Sequence, residues 1–303
     1  MACVSSAIAQ PAKPVPEMPL IGVVVLTMGN RPADLNRGLR SLLAQDGVAL
    51  DIVVVGNGWE PTGLPAGVRG HSLPENVGIP AGRNAGVAEV QGELIFFLDD
   101  DAFLPTRDFL ATVAARFAAH PGLGLLQPRV ADPTGLPAPR RWNPRLRVGD
   151  PLRNSPALNV WEGAVAIRRS VFESADGWPD EFFYAHEGID LAWRVWDAGY
   201  QTWYAGDLVA GHPAINPLRH SDFYRLQARN RVWLARRNLP LPLAPIYVAT
   251  WAIITALRNP DPDVLRDWLQ GAWEGLQVAP ASRRPMKWST VWRMTIAGRP
   301  PVI

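Results

Sequence analysis

Short, unbroken apolar runs alternate along the chain with segments whose apolar residues recur at helical spacing. Residues 21–27 (IGVVVLT) carry no polar side chain before Thr27, as expected of a strand buried on both faces. After Pro32-Ala33-Asp34, residues Leu35, Leu39, Leu42 and Leu43 fall on one stripe of a helix. Residues 51–55 (DIVVV) read as a second buried strand, stopped by Gly56-Asn57-Gly58. Strand, helix, strand in this order predicts a parallel sheet with a right-handed crossover. A glycine-studded turn over residues 76–84 leads into a short helix. Residues 93–98 (ELIFFL) form another buried strand, residues 108–119 a helix and residues 124–130 a strand.

The second half is less regular. Residues 133–156 are rich in Pro, Arg and Asn, lack periodicity and read as a long surface loop. Residues 161–168 (WEGAVAIR) resemble a strand. Residues 189–198 form a helix with Leu191, Val195 and Ala198 on one face and Gly199 as its stop. Residues 202–205 and 208–210 are short extended pieces ending at His212, and residues 223–237 are a strongly basic helix. Residues 239–257 contain no charge, but three prolines crowd their start, and the uninterrupted part is too short to span a bilayer. A buried, re-entrant or interfacial helix is the expectation there.

Composition changes this picture in three places. Net charge is +2, yet residues 211–303 hold 13 Lys/Arg against 5 Asp/Glu, so the C-terminal part faces either solvent or something anionic, such as a lipid surface or a phosphate-bearing substrate. The lone cysteine, Cys3, excludes an internal disulfide and fits a reducing compartment. Residues 1–18 lack the basic n-region of a secretory signal and read as a disordered leader. Thirteen tryptophans suit core packing, stacking on sugar rings or a membrane interface; Trp193 and Trp196, at helical spacing, read as packing.

Candidate chemistry sits at the carboxyl ends of the strands, where open α/β sheets bind their ligands. Thr27, Gly56-Asn57 and Asp99 all fall there. Three consecutive carboxylates, Asp99-Asp100-Asp101, at the end of an apolar strand are costly unless neutralised. Alternation along an extended chain sends Asp99 and Asp101 to one side and Asp100 to the other. A divalent cation shared with substrate phosphates, Mg²⁺ or Mn²⁺, meets that need.

Several spaced motifs accompany this cluster: Asn76-x-Gly78, Arg83-Asn84-x-Gly86, Phe97-Leu98-Asp99-Asp100-Asp101, Gly177-Trp178-Pro179-Asp180-Glu181, Glu187-x-x-Asp190-Leu191-x-x-Arg194, His212 and Arg229-Asn230-Arg231. In this order they resemble the family 2 glycosyltransferases, notably those transferring rhamnosyl or galactofuranosyl groups. The resemblance implies a GT-A fold, an α/β architecture with a Rossmann-like, mostly parallel sheet and flanking helices, here followed by a C-terminal helical segment. The implied organisation is a GT-A domain over residues 19–230, with a nucleotide-sugar half (19–131) and an acceptor half (157–230), and a basic, apolar segment over residues 231–303.

The implied activity is metal-dependent, inverting transfer of a sugar from a nucleotide diphosphate sugar to a hydroxyl. By the resemblance, Asp99 and Asp101 hold the cation, and His212 matches a histidine that adds a third ligand in some members. Thr27, Asn57, Asn76, Arg83, Asp99 and Asp100 would bind the nucleotide sugar, Arg83 meeting the diphosphate from the start of a helix. Asn57 and Asn76 also suit turns. Trp161 and Trp178 are candidate acceptor platforms. Sugar transfer needs a base for the acceptor hydroxyl, and the position that commonly supplies it in the family is Gly188. Glu187 and Asp190 remain, with Glu187 preferred because Asp190 also suits an N-terminal helix carboxylate. The alternative is that both serve only to cap the helix. Gly56 likewise replaces an acidic residue frequent near the nucleobase. A cell-envelope glycan or lipid-linked saccharide as acceptor, on the cytoplasmic side with peripheral membrane contact, accounts for the basic C-terminal part; no nucleic-acid partner is expected. Gly188 also admits a non-catalytic sugar-nucleotide-binding or scaffold protein, and the aspartates alone admit a nucleotidyltransferase.

Overall fold

The computed structural model describes residues 18–214 and 222–302. The leader expected over residues 1–18 lies outside these apart from Met18. Eight strands form one sheet: β1 (Leu20–Thr27), β2 (Ala49–Asn57), β3 (Val68–Leu73), β4 (Leu94–Asp99), β5 (Leu123–Ala131), β6 (Ser155–Ala157), β7 (Ala164–Arg168) and β8 (Gln201–Gly211). Their spatial order is β3-β2-β1-β4-β7-β5-β8-β6. β1 to β4 run parallel, β7 enters antiparallel between β4 and β5, and β8 returns parallel to β5. The parallel half is the one foreseen from the apolar runs. β3 (VRGHSL) lacked such a run because it is an edge strand with mostly polar side chains. The two extended pieces before His212 are one strand whose register against β5 shifts between Pro128 and Arg129, a bulge over which Arg129 donates to the Gly206 carbonyl at 3.0 Å.

Helices cover both faces. α1 (Pro32–Leu43) and α3 (Phe109–Ala119) bury Leu35, Leu39, Leu42, Phe109 and Phe117 against Val23, Val25 and Phe96. On the other face α2 (Ile79–Glu89), α4 (Arg169–Ser174) and α5 (Glu187–Asp197) pack Val87, Phe172, Leu191 and Val195 on Phe97, Val165 and Ile167. Since both faces of β1 and β4 are covered, their sequences had to be apolar throughout.

Four helices follow: α6 (Phe223–Asn238), α7 (Leu243–Arg258), α8 (Pro262–Gln277) and α9 (Trp288–Ile296). Trp193, Trp196, Trp233, Leu234, Tyr247 and Met294 form a core that binds α5, α6, α7 and α9 together. α6 runs unbroken across the boundary expected at residue 230, because a rise in basic residues does not interrupt a helix. Residues 239–257 become the start and body of α7, whose single fully buried side chain is Tyr247; among the described residues no helix is long and apolar enough to cross a membrane.

The segment 133–156 departs from the expected surface loop. Trp142, Asn143 and Arg145 are buried, and its end is β6. Two arginines replace the missing ladder bonds: Arg140 donates to the carbonyls of Asn143, Arg145 and Leu146, and Arg145 to those of Asp150 and Arg153.

Candidate active site

The carboxyl ends of β1, β2 and β4 open onto one cavity of about 1290 Å³, roofed by α5, α6 and α7. It is lined by Thr27, Asn57, Asn76, Arg83, Asp99, Asp100, Asp101, Trp161, Glu187 and His212, all expected from the sequence. Asp190 and Trp178 are not among its lining residues.

At one pole Asp99, Asp101 and His212 each present a ligand atom, all within 4.8 Å of one another. The His212 ring is oriented for this. Its Nδ1 lies 2.7 Å from the Pro213 carbonyl, which leaves Nε2 facing Asp101 Oδ1 at 2.8 Å. Trp142 and Trp161 stand edge-on to the imidazole at 5.4 and 4.8 Å. Gly163 lets Trp161 and Asp99 close on each other, since a Cβ there would lie 2.0 Å from the indole and 2.6 Å from Asp99 Oδ2. Two carboxylates and one imidazole are the donor set of a Mg²⁺ or Mn²⁺ site, so these residues fit the cation. Arg31, paired with Asp100 and Asp101, and Arg83, paired with Asp99 at 2.7 Å, offset the same carboxylates.

Asp100 turns away from this group. It accepts from Thr27 Oγ1 at 2.7 Å and meets Arg31 at 3.2 Å, and burial pushes its carboxyl up to about 6. Asn57 and Asn76 face the cavity while holding the turn before α2: Asn57 donates to Asn76 Oδ1 and the Gly78 carbonyl and accepts from Val77 N. Gly78, at φ 88°, opens α2 where a Cβ would strike Phe183. At Gly56 no side chain of any kind fits, because a Cβ would lie 1.9 Å from the Trp59 carbonyl oxygen. That close turn accounts for the missing acidic residue.

At the opposite side Arg83 lies over the Trp178 ring at 5.3 Å, with Nη1 4.0 Å from Glu187 Oε1 and without a hydrogen-bond partner. Glu187 is buried at the head of α5, and burial raises its carboxyl against the opposing pull of Arg83. Beside it lies a residue the sequence motifs did not single out. Glu162 is half-buried in the cavity wall and accepts from Gly188 N at 2.6 Å. Its carboxylate occupies the space above Gly188: a Cβ at 188 would sit 2.1 Å from Glu162 Oε1 and 2.4 Å from the Val160 carbonyl oxygen. Burial first, and then the charge on Glu187, push Glu162 up to about 8. The signal in the sequence was slight: a lone acidic residue, between Trp161 and Gly163, at the start of an apolar strand.

Two expected residues are placed in the interior instead. Asp190 is fully buried, meeting Arg194 at 3.1 Å and Arg237 at 3.2 Å and accepting from Asn238 at 2.5 Å. One helical turn beyond Glu187 on α5, it faces α6 rather than the cavity. Trp178 is 1% exposed, edge-on to Phe97 at 5.1 Å, and fixed by Asn84, which accepts from its N–H and donates to its carbonyl. It supports Arg83 from below and is closed to a sugar.

The loop before α5 is strained and clamped. Phe183, Ala185 and His186 have φ of 62°, 72° and 72°, a region costly for side chains with a Cβ. Asn230 donates to the carbonyls of Phe182, Tyr184 and Ala185, and Arg229 to that of Phe182. The Arg229-Asn230-Arg231 motif therefore shapes the cavity roof.

Residues 23–175 match the family model described as glycosyl transferase family 2. The chain belongs to that family. Among relatives, it is 25% identical over 252 residues to the pre-mycofactocin glycosyltransferase of Mycobacterium tuberculosis, covering 78% of this chain and 48% of that protein. The chain thus spans about half the length of that relative. Solved structures with a similar fold include TarS 1-349 of S. aureus (TM-score 0.61, 15% identity, 86% of this chain and 81% of that one). Another is the mannosyltransferase PcManGT of Pyrobaculum calidifontis, in complex with GDP-Man and Mn2+ (TM-score 0.55, 20% identity, 95% and 78%). This family 2 chain thus has the GT-A fold, with the helices α6 to α9 appended.

Proposed function

We propose that this family 2 chain moves a sugar from a nucleotide diphosphate sugar to a hydroxyl acceptor, with inversion at the anomeric carbon. The observation that carries the reading is the convergence, around one cavity, of three residues able to hold a cation and, on its other side, the carboxylates of buried Glu187 and half-buried Glu162. That PcManGT was solved with GDP-Man and Mn2+ supports a sugar nucleotide and a divalent cation in this fold.

In this reading Thr27, Asn57 and Asn76 line the nucleotide end, and Arg83 Nη1 is the donor left for the diphosphate. Asp99, Asp101 and His212 would hold Mn²⁺ or Mg²⁺, which when bound offsets the charge gathering on the leaving diphosphate. The acceptor oxygen bonds to the anomeric carbon as the bond from that carbon to the diphosphate oxygen breaks. The electron pair leaves with the diphosphate, and the hydroxyl proton passes to Glu187. Glu162 keeps its own proton at neutral pH and lets Glu187 carry the single charge of the pair. A carboxylate over Gly188 supports the catalytic reading over the non-catalytic scaffold that this glycine suggested.

Purified protein with Mn²⁺ and a panel of UDP-, GDP- and dTDP-sugars tests the proposal. Slow donor hydrolysis, faster with membrane extract as acceptor and lost on chelation, is the expected result. Binding without turnover under all these conditions would defeat it.

For the acceptor we propose a cell-envelope or lipid-linked saccharide, reached by peripheral contact with an anionic bilayer. Ile246, Ile253 and Leu257 on α7, Leu269, Trp273 and Leu276 on α8, and Trp288 and Trp292 on α9 are all more than half exposed. The region's excess of basic residues complements an anionic surface.

A further inference from the structure

Phe182 and Phe183 are neighbours in sequence with opposite surroundings. Phe182 closes a 3₁₀ turn (Asp180–Phe182) and is fully buried in the core it shares with Trp193 and Trp233. Phe183 lines the cavity at 41% exposure, the most exposed phenylalanine among the described residues. The chain reverses at Phe183 itself. With φ 62° and ψ −50° it is the central residue of a γ-turn of the positive-φ kind, closed by Tyr184 N–H donating to the Phe182 carbonyl at 2.6 Å. That conformation is rare, and strained for any residue with a Cβ. Neighbours hold it in place. The Phe183 carbonyl accepts from Ile79 N at 2.8 Å, and Arg229 and Asn230 donate to the Phe182 carbonyl. Gly78 makes the close approach possible, since a Cβ there would lie 2.7 Å from Cα, the carbonyl oxygen and ring Cδ2 of Phe183.

A turn that only had to reverse the backbone before α5 would be met by glycine at position 183 without this strain. The phenylalanine adds a second cost, because part of its ring stays in contact with water. Apart from Gly78 beneath it, no aromatic ring or guanidinium group stacks on it among the described residues. The rest of the cavity indicates what kind of molecule covers such a ring. Asn76, Arg83 and Glu187 line the same space, so an occupant needs polar groups beside an apolar face. A sugar ring has both, with C–H bonds across its face and hydroxyls around its rim. Those C–H groups are slightly positive and suit the negative face of an aromatic ring.

We propose that Phe183, presented by its strained turn, is the stacking platform for a sugar ring bound in the cavity. It fills the part that Trp178, closed in the interior, does not. The proposal rests on the glycosyl-transfer reading, which puts a sugar in this cavity. That sugar belongs either to the donor or to the acceptor, and the chemistry of recognition is the same.

The test compares the full chain with Phe183→Leu, which keeps apolar bulk without a ring, and Phe183→Tyr, which keeps the ring. Should Phe183→Leu not fold, Phe183→Gly, free of the backbone strain, carries the same comparison. Calorimetry with Mn²⁺ measures the affinities of UDP-, GDP- and dTDP-sugars and of the matching nucleoside diphosphates. Transfer is followed with membrane extract as acceptor. If the stacked ring is the donor's, Phe183→Leu should weaken the sugar nucleotide about three- to tenfold, the scale of one aromatic contact, with the nucleoside diphosphate unchanged. If it is the acceptor's, both affinities and the slow donor hydrolysis should stay as in the parent. The acceleration by extract should then fall by the same factor. Phe183→Tyr should match the parent in either case, because the ring and not the bulk is recognised. Three results would each overturn the proposal: no change in Phe183→Leu by any of these measures, equal loss of sugar nucleotide and nucleoside diphosphate, or a Phe183→Tyr that fails as Phe183→Leu does. Sugar-nucleotide binding without turnover in the parent would defeat the functional reading alone. The affinities then decide for Phe183 by themselves, a loss confined to the sugar nucleotide upholding the platform and no loss overturning it.

Discussion

Neighbouring carboxylates in a cavity wall resist being ionised together, through lost hydration and mutual repulsion, and half-buried Glu162 and buried Glu187 meet that condition at the head of α5. Glu162 is held up to about 8, against 4.5 for a free glutamate. A carboxyl raised on folding stabilises the fold fully below the unfolded value, and that contribution fades as pH climbs through the folded one. Replacing Glu162 by Gln should therefore raise the melting temperature progressively from pH 5 to pH 8 relative to the parent, with a level difference above. A constant difference over that range would show that Glu162 is ionised in the folded protein. Glu187→Gln bears on the chemistry. It should reduce turnover at least about a hundredfold, the scale of acid–base catalysis, while nucleotide binding persists. A loss below tenfold would remove Glu187 from the proposed role.

At the scale of elements, α5 does two separable jobs. Its first turn delivers Glu187 to the cavity, while Asp190 one turn later secures it to α6 through Arg237 and Asn238. Asp190→Asn leaves Arg194 and Arg237 short of a buried counter-charge and should cost about 3 kcal/mol in denaturant unfolding. Turnover of the protein that remains folded should stay within about tenfold of the parent. The loop ahead of α5 depends on Asn230, whose amide meets three carbonyls of a strained segment. Asn230→Ala should lower stability by about 2–3 kcal/mol. It should also reduce turnover more than nucleotide affinity, because the loop roofs the cavity next to Glu187; equal losses in both would argue for a general collapse.

For the whole molecule, charge and apolar surface concentrate together in the C-terminal helices. α9 presents Trp288 and Trp292 outward at 58% and 66% exposure, an arrangement suited to the boundary between head groups and acyl chains. Sedimentation with vesicles should show binding to bilayers containing anionic lipid. It should weaken with added salt, as surface charge is screened, and fall when Trp288 and Trp292 are both replaced by Ala. Binding that ignores salt and both substitutions would remove the membrane from the proposal.

The apolar runs of β1, β2 and β4 and the Asp99–Asp101 cluster were legible from local pattern, because a strand covered on both faces and a carboxylate run at its end leave marks within a few residues. That much of the α/β sheet, and the place of the carboxylate cluster at its strand ends, the sequence by itself determined. β3 was hidden because an edge strand needs no apolar run, and the folded character of residues 133–156 because Arg140 and Arg145 bind carbonyls instead of following a period. The separation of Glu187 from Asp190 was undecided in one dimension, since three residues along a helix point to neighbouring faces and only packing against α6 shows which is taken. Glu162 and Gly188 are 26 residues apart, and no spacing rule connects them. Only the tertiary structure, by bringing the segment just before β7 onto the head of α5, decided that the room left by a glycine in one is filled by a carboxylate from the other.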